Sequence, residues 1–228
     1  VRWESSVSPF DTWTTIDNTL DTYTSGPLNE VTRFRAVVKS GVCDEAISDY
    51  TEVTISPPTV SGAVSGGTTI CEGETSGLLT LSGYTGDIIK WQYSVNEVDW
   101  TDIENTVETY TSGALIQTTH FRAVVQSGGC EALESDFTTV TVNPIPDAAI
   151  STTSELTFCE GDVIDVLFTA SPSGGTYSWF KNDVIIDGES GETLQATSPG
   201  IYTVEVTLNG CSDISEGKEI IVNPLPDA

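Results

Sequence analysis

Hydrophobic and polar positions alternate along most of this chain. In residues 202–208 (YTVEVTL), Tyr202, Val204, Val206 and Leu208 fall on one face, and Thr203, Glu205 and Thr207 on the other. Phe121, Ala123 and Val125 repeat the pattern with Arg122 outward, as do Phe34, Ala36 and Val38 with Arg35 outward. Period two with one polar face describes a strand in a half-buried antiparallel sheet. No segment keeps a helical period over ten residues. Further strands are predicted at 78–81, 88–93, 109–111 and 138–142. Turn residues separate them: Ser82-Gly83, Thr85-Gly86, Asn96-Glu97 and Ser127-Gly128-Gly129. Short strands and regular turns at this density predict a two-sheet sandwich.

The pattern recurs as sequence. Residues 3–57 align with 91–144 after a one-residue gap at Thr12, with about half of the positions identical, and a weaker third copy follows. Self-similarity at a fixed period means an array of like units. The reading is of a partial unit at 1–58, a complete unit at 59–145 and a complete sister unit at 146–228. The chain is expected to begin inside a unit, lacking the segment that residues 59–88 supply to the second copy. Paired prolines (Pro57-Pro58, Pro144 and Pro146, Pro224 and Pro226) favour short, stiff joints, so the units are expected to stack end to end as a rod.

Composition narrows the possible partners. The 34 Asp+Glu against 8 Lys+Arg give a formal charge of -26. Such a chain is repelled by nucleic acid and by anionic lipid, and no apolar run approaches the ~18 residues of a membrane span, so neither partner is expected. The acidic residues are scattered, as on solvated strand faces, and neighbouring repeats of the same polypeptide are the expected contacts.

Cysteines follow the repeat. Cys71 and Cys159 open Cys-Glu-Gly triplets near the start of a unit. Cys43, Cys130 and Cys211 come nine residues after an aromatic (Phe34, Phe121, Tyr202) near its end. The simplest pairing joins Cys71 to Cys130 and Cys159 to Cys211, one disulfide per complete unit, and leaves Cys43 unpaired by truncation. Each bridge would restrict the unfolded chain by ~4 kcal/mol and points to an oxidising, extracellular setting. Trp91 and Trp179 each lie twenty residues after the first cysteine of a unit. Cys…Trp…Cys is the immunoglobulin-like signature, so the fold class is all-β, tandem immunoglobulin-like antiparallel sandwiches. The spacing is longer than in antibody domains, which leaves the bridge's place in the sandwich open. Trp3, Trp91, Trp179, Phe34, Phe121 and Tyr202 are the expected core.

The motifs W-Q-Y-S-x(5)-W-T-D-I (91–103), E-T-Y-T-S-G-x-L (108–115), T-T-x-F-R-A-V-V-x-S-G-G-C (118–130) and S-D-x-T-x-V-T-V-N-P (135–144) resemble the immunoglobulin-like repeats of giant Bacteroidota cell-surface adhesins, of the SprB gliding-motility type. The resemblance implies type IX secretion, display at the extracellular cell surface, and a role in adhesion or gliding. It also implies contact with surface polysaccharide or with secretion and motility machinery through the parent protein.

Little in the residues suggests catalysis. The single histidine, His120, aligns with Arg33, so its position does not demand imidazole chemistry, and no enzyme activity or cofactor is expected. Asp147 and Asp227 share the junction position, where calcium could bridge adjacent sandwiches, although no calcium-loop motif is present. Trp13 and Trp100 sit in a hairpin after the core tryptophan. They could stack on a sugar, with Ile16 and Ile103 as the packing partners of a purely structural role. The expected function is a non-catalytic stalk of an exported adhesin. A carbohydrate-binding module or a spacer of a secreted hydrolase is the alternative.

Overall fold

The computed structural model describes residues 1–226 as twenty-three strands and, among those residues, no helix. The first unit holds β1 (Arg2–Val7), β2 (Thr14–Ile16), β3 (Thr32–Val38), β4 (Ala46–Ile47) and β5 (Thr51–Val53). They form one sheet in the order β2-β1-β3-β4, with β5 also on β3.

The second unit holds β6 (Val60–Ser65), β7 (Thr69–Cys71), β8 (Leu79–Thr85), β9 (Asp87–Ser94), β10 (Thr101–Ile103), β11 (Thr109–Tyr110), β12 (Thr119–Gln126), β13 (Leu133–Glu134) and β14 (Thr138–Asn143). The third holds β15 (Ala149–Ser151), β16 (Thr157–Cys159), β17 (Val166–Ser171), β18 (Thr176–Lys181), β19 (Val184–Ile185), β20 (Thr193–Ala196), β21 (Gly200–Leu208), β22 (Cys211–Ile214) and β23 (Lys218–Asn223). Each of these two units is a sandwich of a three-stranded sheet (β11-β8-β6; β15-β17-β20) against a six-stranded one. The larger sheets run β10-β9-β12-β14-β7, with β13 on β12, and β16-β23-β21-β18-β19, with β22 on β21.

Among the described residues, all pairings between strands are antiparallel except two. β7 and β16 run parallel to the last strand of their own unit, with Cys71 beside Asn143 and Cys159 beside Asn223. A first strand that begins on one sheet and crosses to lie parallel to the last strand of the other belongs to the immunoglobulin-like plan, and the chain is a tandem all-β array of that class.

Packing follows the alternation. Trp91, Phe121, Ala123, Val125, Leu79, Leu81 and Val140 are buried between the sheets of the second unit. Trp179, Phe168, Tyr202, Val204, Val206 and Ile220 do the same in the third. Each core indole donates its N–H to a loop carbonyl, Trp91 to Val107 and Trp179 to Gly191, at 2.9 Å in both cases. Without that acceptor a buried indole would lose a hydrogen bond it makes in water. Tyr202 donates its hydroxyl to the Ser198 carbonyl at 2.8 Å, in the manner of a tyrosine corner; the second unit has Phe121 at that position.

Two sequence expectations need correction. Ser82-Gly83 is no turn: β8 runs through it, with Gly83 at φ 70°, and the chain reverses at Gly86. Gly86 takes φ 120°, and a Cβ there would sit 2.6 Å from the Gln126 carbonyl, so only glycine lets the chain step from one sheet to the other. Trp3 and Phe34 are half-buried rather than core. Both point with Tyr23 into an open concavity, because among the described residues no second sheet faces β1 and β3.

Candidate functional site at the unit junction

Strand β12 fixes the two ends of the second unit. Thr119 at its start pairs with Val140, close to where β14 leaves the unit, while β13 folds back on its far end at Val124 and Val125. Eight residues of strand separate these ends by roughly 24 Å. Cys71 lies at the trailing end, beside Asn143, and Cys130 at the leading end, in the turn between β12 and β13. The Cys71–Cys130 pairing expected from the repeat is therefore incorrect. Two cysteines whose Cα atoms must come within about 7 Å cannot bridge a sandwich end to end. The same layout separates Cys159, beside Asn223 at the trailing end of the third unit, from Cys211 at its leading end, and the Cys159–Cys211 pairing fails for that reason.

The disulfide that does form is Cys71–Cys211, with a Cα–Cα distance of 5.6 Å and 140 residues of separation in sequence. It joins the trailing end of the second unit to the leading end of the third. Local chemistry builds both halves. After Cys71 the chain turns through Gly73 at φ 90°, and the Glu74 carboxylate accepts from the Cys71 N–H at 2.9 Å. The Glu72 N–H bonds the Asn143 carbonyl at 2.9 Å, which holds the turn against the departing strand. Cys211 follows the two-residue turn Asn209-Gly210 (φ 53° and 86°), the Asn-Gly hairpin reversal between paired Leu208 and Cys211. Asn143 Nδ2 donates to the Asn209 carbonyl at 2.8 Å and the Ala148 N–H to Asp213 Oδ2 at 3.3 Å, so the linker is tied to the same hairpin as the disulfide. Cys43, Cys130 and Cys159 are free thiols.

Outside the junction, the outer face of the larger sheet carries a ladder of charges and rings. Arg35 bonds Glu4 at 2.7 Å and lies 4.0 Å over the Trp13 ring. Arg122 takes the same place 4.0 Å over Trp100, with its Nε donating to Gln92 at 2.8 Å. Gln92 and Lys90 both donate to Asp102, at 2.7 and 2.8 Å, and hold its carboxyl below the usual range. Arg35 first, and Arg2 beside it, likewise lower the pKa of nearly buried Glu4 against the opposing effect of burial. One face of each indole is thus covered by a guanidinium, Trp13 by Arg35 and Trp100 by Arg122.

Asp147 is exposed, and Asp227 lies outside the described residues. Among the described residues no three His, Cys, Asp or Glu side chains cluster in a way that could hold a metal ion. The apolar concavity of about 240 Å³ between Tyr93, Tyr110, Leu115 and Phe121 is lined by no carboxylate, histidine or cysteine.

Sequence reasoning placed the cysteines by unit but missed the short strands β7 and β16 that decide their neighbours. The Asn-Pro that closes the second and third units, and the Asn-Gly before Cys211, were the signals of a built junction.

Comparisons with known proteins bear on the family. No curated protein matches the chain. Solved structures it is similar to include a marsupial T cell receptor, at 15% identity over 72% of this chain and 73% of that chain, with a TM-score of 0.45. Fibronectin(III)-like modules of Clostridium thermocellum CbhA align at 15% identity over 72% of this chain and 91% of that chain, with a TM-score of 0.32. The N-terminal four Ig domains of Dscam1 isoform 6.9 align at 15% identity over 97% of this chain and 64% of that chain, also at 0.32. A family profile covers residues 1–57 and again 60–144, more than half of the chain and in register with its first two units. The chain belongs to the family described as Domain of unknown function (DUF8696).

Proposed function

We propose that the chain is a non-catalytic, force-transmitting segment of an exported bacterial surface protein, serving adhesion or gliding by holding a distal binding region away from the cell. The observation that carries this reading is the Cys71–Cys211 bridge between successive units. A disulfide inside one sandwich would protect only that sandwich. This one gives the junction a second covalent path beside the linker, so tension on the chain bypasses the residues between the two cysteines. A disulfide suits a secreted or extracellular domain, and the strong negative charge keeps extended molecules apart.

The carbohydrate-binding alternative draws less support from Trp13 and Trp100, because one face of each ring is already stacked on Arg35 or Arg122. A spacer in a secreted hydrolase would use the same mechanics and differs only in what the parent protein carries.

The test is to display the parent protein on a bacterial surface with Cys211→Ser in this segment and apply shear. Loss of attachment at lower shear, with unchanged surface amount, supports the reading. Unchanged attachment under all loads contradicts it.

A further inference from the structure

Cys159 and Cys130 repeat the two halves of the Cys71–Cys211 junction. At Cys159 the backbone N–H bonds Asp162 Oδ2 at 2.8 Å, as Cys71 bonds Glu74 at 2.9 Å. The Glu160 N–H bonds the Asn223 carbonyl at 2.8 Å, as Glu72 bonds Asn143 at 2.9 Å. Gly161 turns at φ 95°, as Gly73 does at 90°. The chain thus presents a second copy of the Cys71 turn, with an exposed thiol, at the trailing end of the third unit.

The opposite half recurs at Cys130. Its sulfur lies 3.7 Å from the carbonyl oxygen of Pro57 in the preceding linker, as the Cys211 sulfur lies 3.8 Å from that of Asn143. Thr59 clamps that linker to the Cys130 turn by donating to the Glu131 carbonyl at 2.8 Å and accepting from the Ser127 N–H at 3.1 Å. Cys43 forms the same local turn as Cys130, with its N–H on Ser40 O at 3.0 Å against 2.9 Å for Cys130 on Ser127 O. The second and independent observation is that the counterparts of both cysteines are bonded to each other in this molecule.

We propose that Cys71–Cys211 is one link of a repeating inter-unit stitch, and that Cys159 and Cys130 are open half-sites of the same stitch. Cys159 takes a cysteine placed like Cys211 in a following unit of this type. Cys130 takes one placed like Cys71 in a preceding unit. The proposal rests on reading the chain as part of a longer array. Because Cys159 lies within the 71–211 loop, its bond to a later unit interlocks two covalent loops that share residues 159–211. Each link forms by oxidation of two thiols. The exposed thiolate attacks a disulfide-bearing oxidant such as oxidised glutathione and releases one thiolate, and the partner cysteine then displaces the second. Two protons and two electrons leave the protein, and the oxidant departs as two thiols.

The experiment joins a second copy of residues 145–226 after Pro224 of the full chain, so that Asn223-Pro224 takes the part of Asn143-Pro144. The fused chain is refolded in glutathione buffer, alkylated, and mapped by non-reducing peptide mass spectrometry. The expected result is a Cys159 bond to the added counterpart of Cys211, near-complete loss of Cys159 alkylation, and an intact Cys71–Cys211 bond. A Cys159 that is alkylated, or bonded elsewhere, overturns the proposal. A second fused chain with Cys211→Ser in the added copy alone should keep its strand circular dichroism and leave Cys159 fully alkylated. If Cys71–Cys211 forms and Cys159 does not link, the stitch falls while the mechanical reading of the single junction stands.

Discussion

Cys71 and Cys211 are bonded across a unit boundary, 140 residues apart, although each has a nearer cysteine in its own sandwich. The choice follows from strand direction. A first strand parallel to the last one carries its cysteine to the end where the chain departs, and the hairpin after β21 carries the other to the end where the chain arrives. In the chain-entropy account, closing so long a loop restricts the unfolded chain by about 5 kcal/mol. Reduction, or Cys211→Ser, should therefore lower the thermal midpoint of the second and third units together and leave the strand signal of the folded state unchanged. The variant should lose all sensitivity to reductant, which calorimetry with and without a thiol checks.

Trp91 and Trp179 play the same part in separate cores. Trp91→Ala should destabilise the second unit by about 3–5 kcal/mol through the cavity and the unpaired Val107 carbonyl. Amide exchange should rise across β8, β9 and β12 far more than across β18 and β21. Trp179→Ala should give the mirror result.

That part of the fold was legible in the sequence. Alternation at 121–125 and 202–208 exposes its buried face without any knowledge of partners, and the tryptophan spacing marks the strand opposite. The cysteine pairing was not legible, because it depends on which end of the sandwich each residue reaches. β7 and β16 are only three residues long, too short for any periodicity to show, and their parallel pairing is a tertiary choice. Trp3 looked identical to Trp91 in sequence and differs only in having no second sheet against it among the described residues.

Glu4 gives a pH-dependent term. Arg35 and Arg2 hold its carboxyl below the ordinary value of 4.5, so its stabilising contribution is present in full above that value and is lost as pH falls through the lowered one. At neutral pH Glu4→Gln should cost about 1 kcal/mol, less than a fully buried charged hydrogen bond, because Arg2 and Arg35 stay partly in water. Exchange protection of β1 and β3 should differ between the two proteins at pH 7 and converge in acid. A constant difference across the acid range would rule out the ion pairs as its source.

Trp100 packs between Arg122 and Phe137, with its ring centroid 6.0 Å from that of Phe137. Trp100→Ala should lower the stability of the second unit by about 1 kcal/mol, the scale of one cation–π contact and its burial. In glycan-array and titration calorimetry experiments, the unaltered chain should show no saccharide affinity for this substitution to remove.

Single-molecule extension by the two ends of the chain probes the bypass itself. Oxidised molecules should reach a contour length that omits the residues enclosed by Cys71 and Cys211, and reduction should add roughly 490 Å, the length of about 140 extended residues at ~3.5 Å each. Equal lengths in both states, or the smaller gain of two loops closed separately within the second and third units, would show that the junction is not stitched.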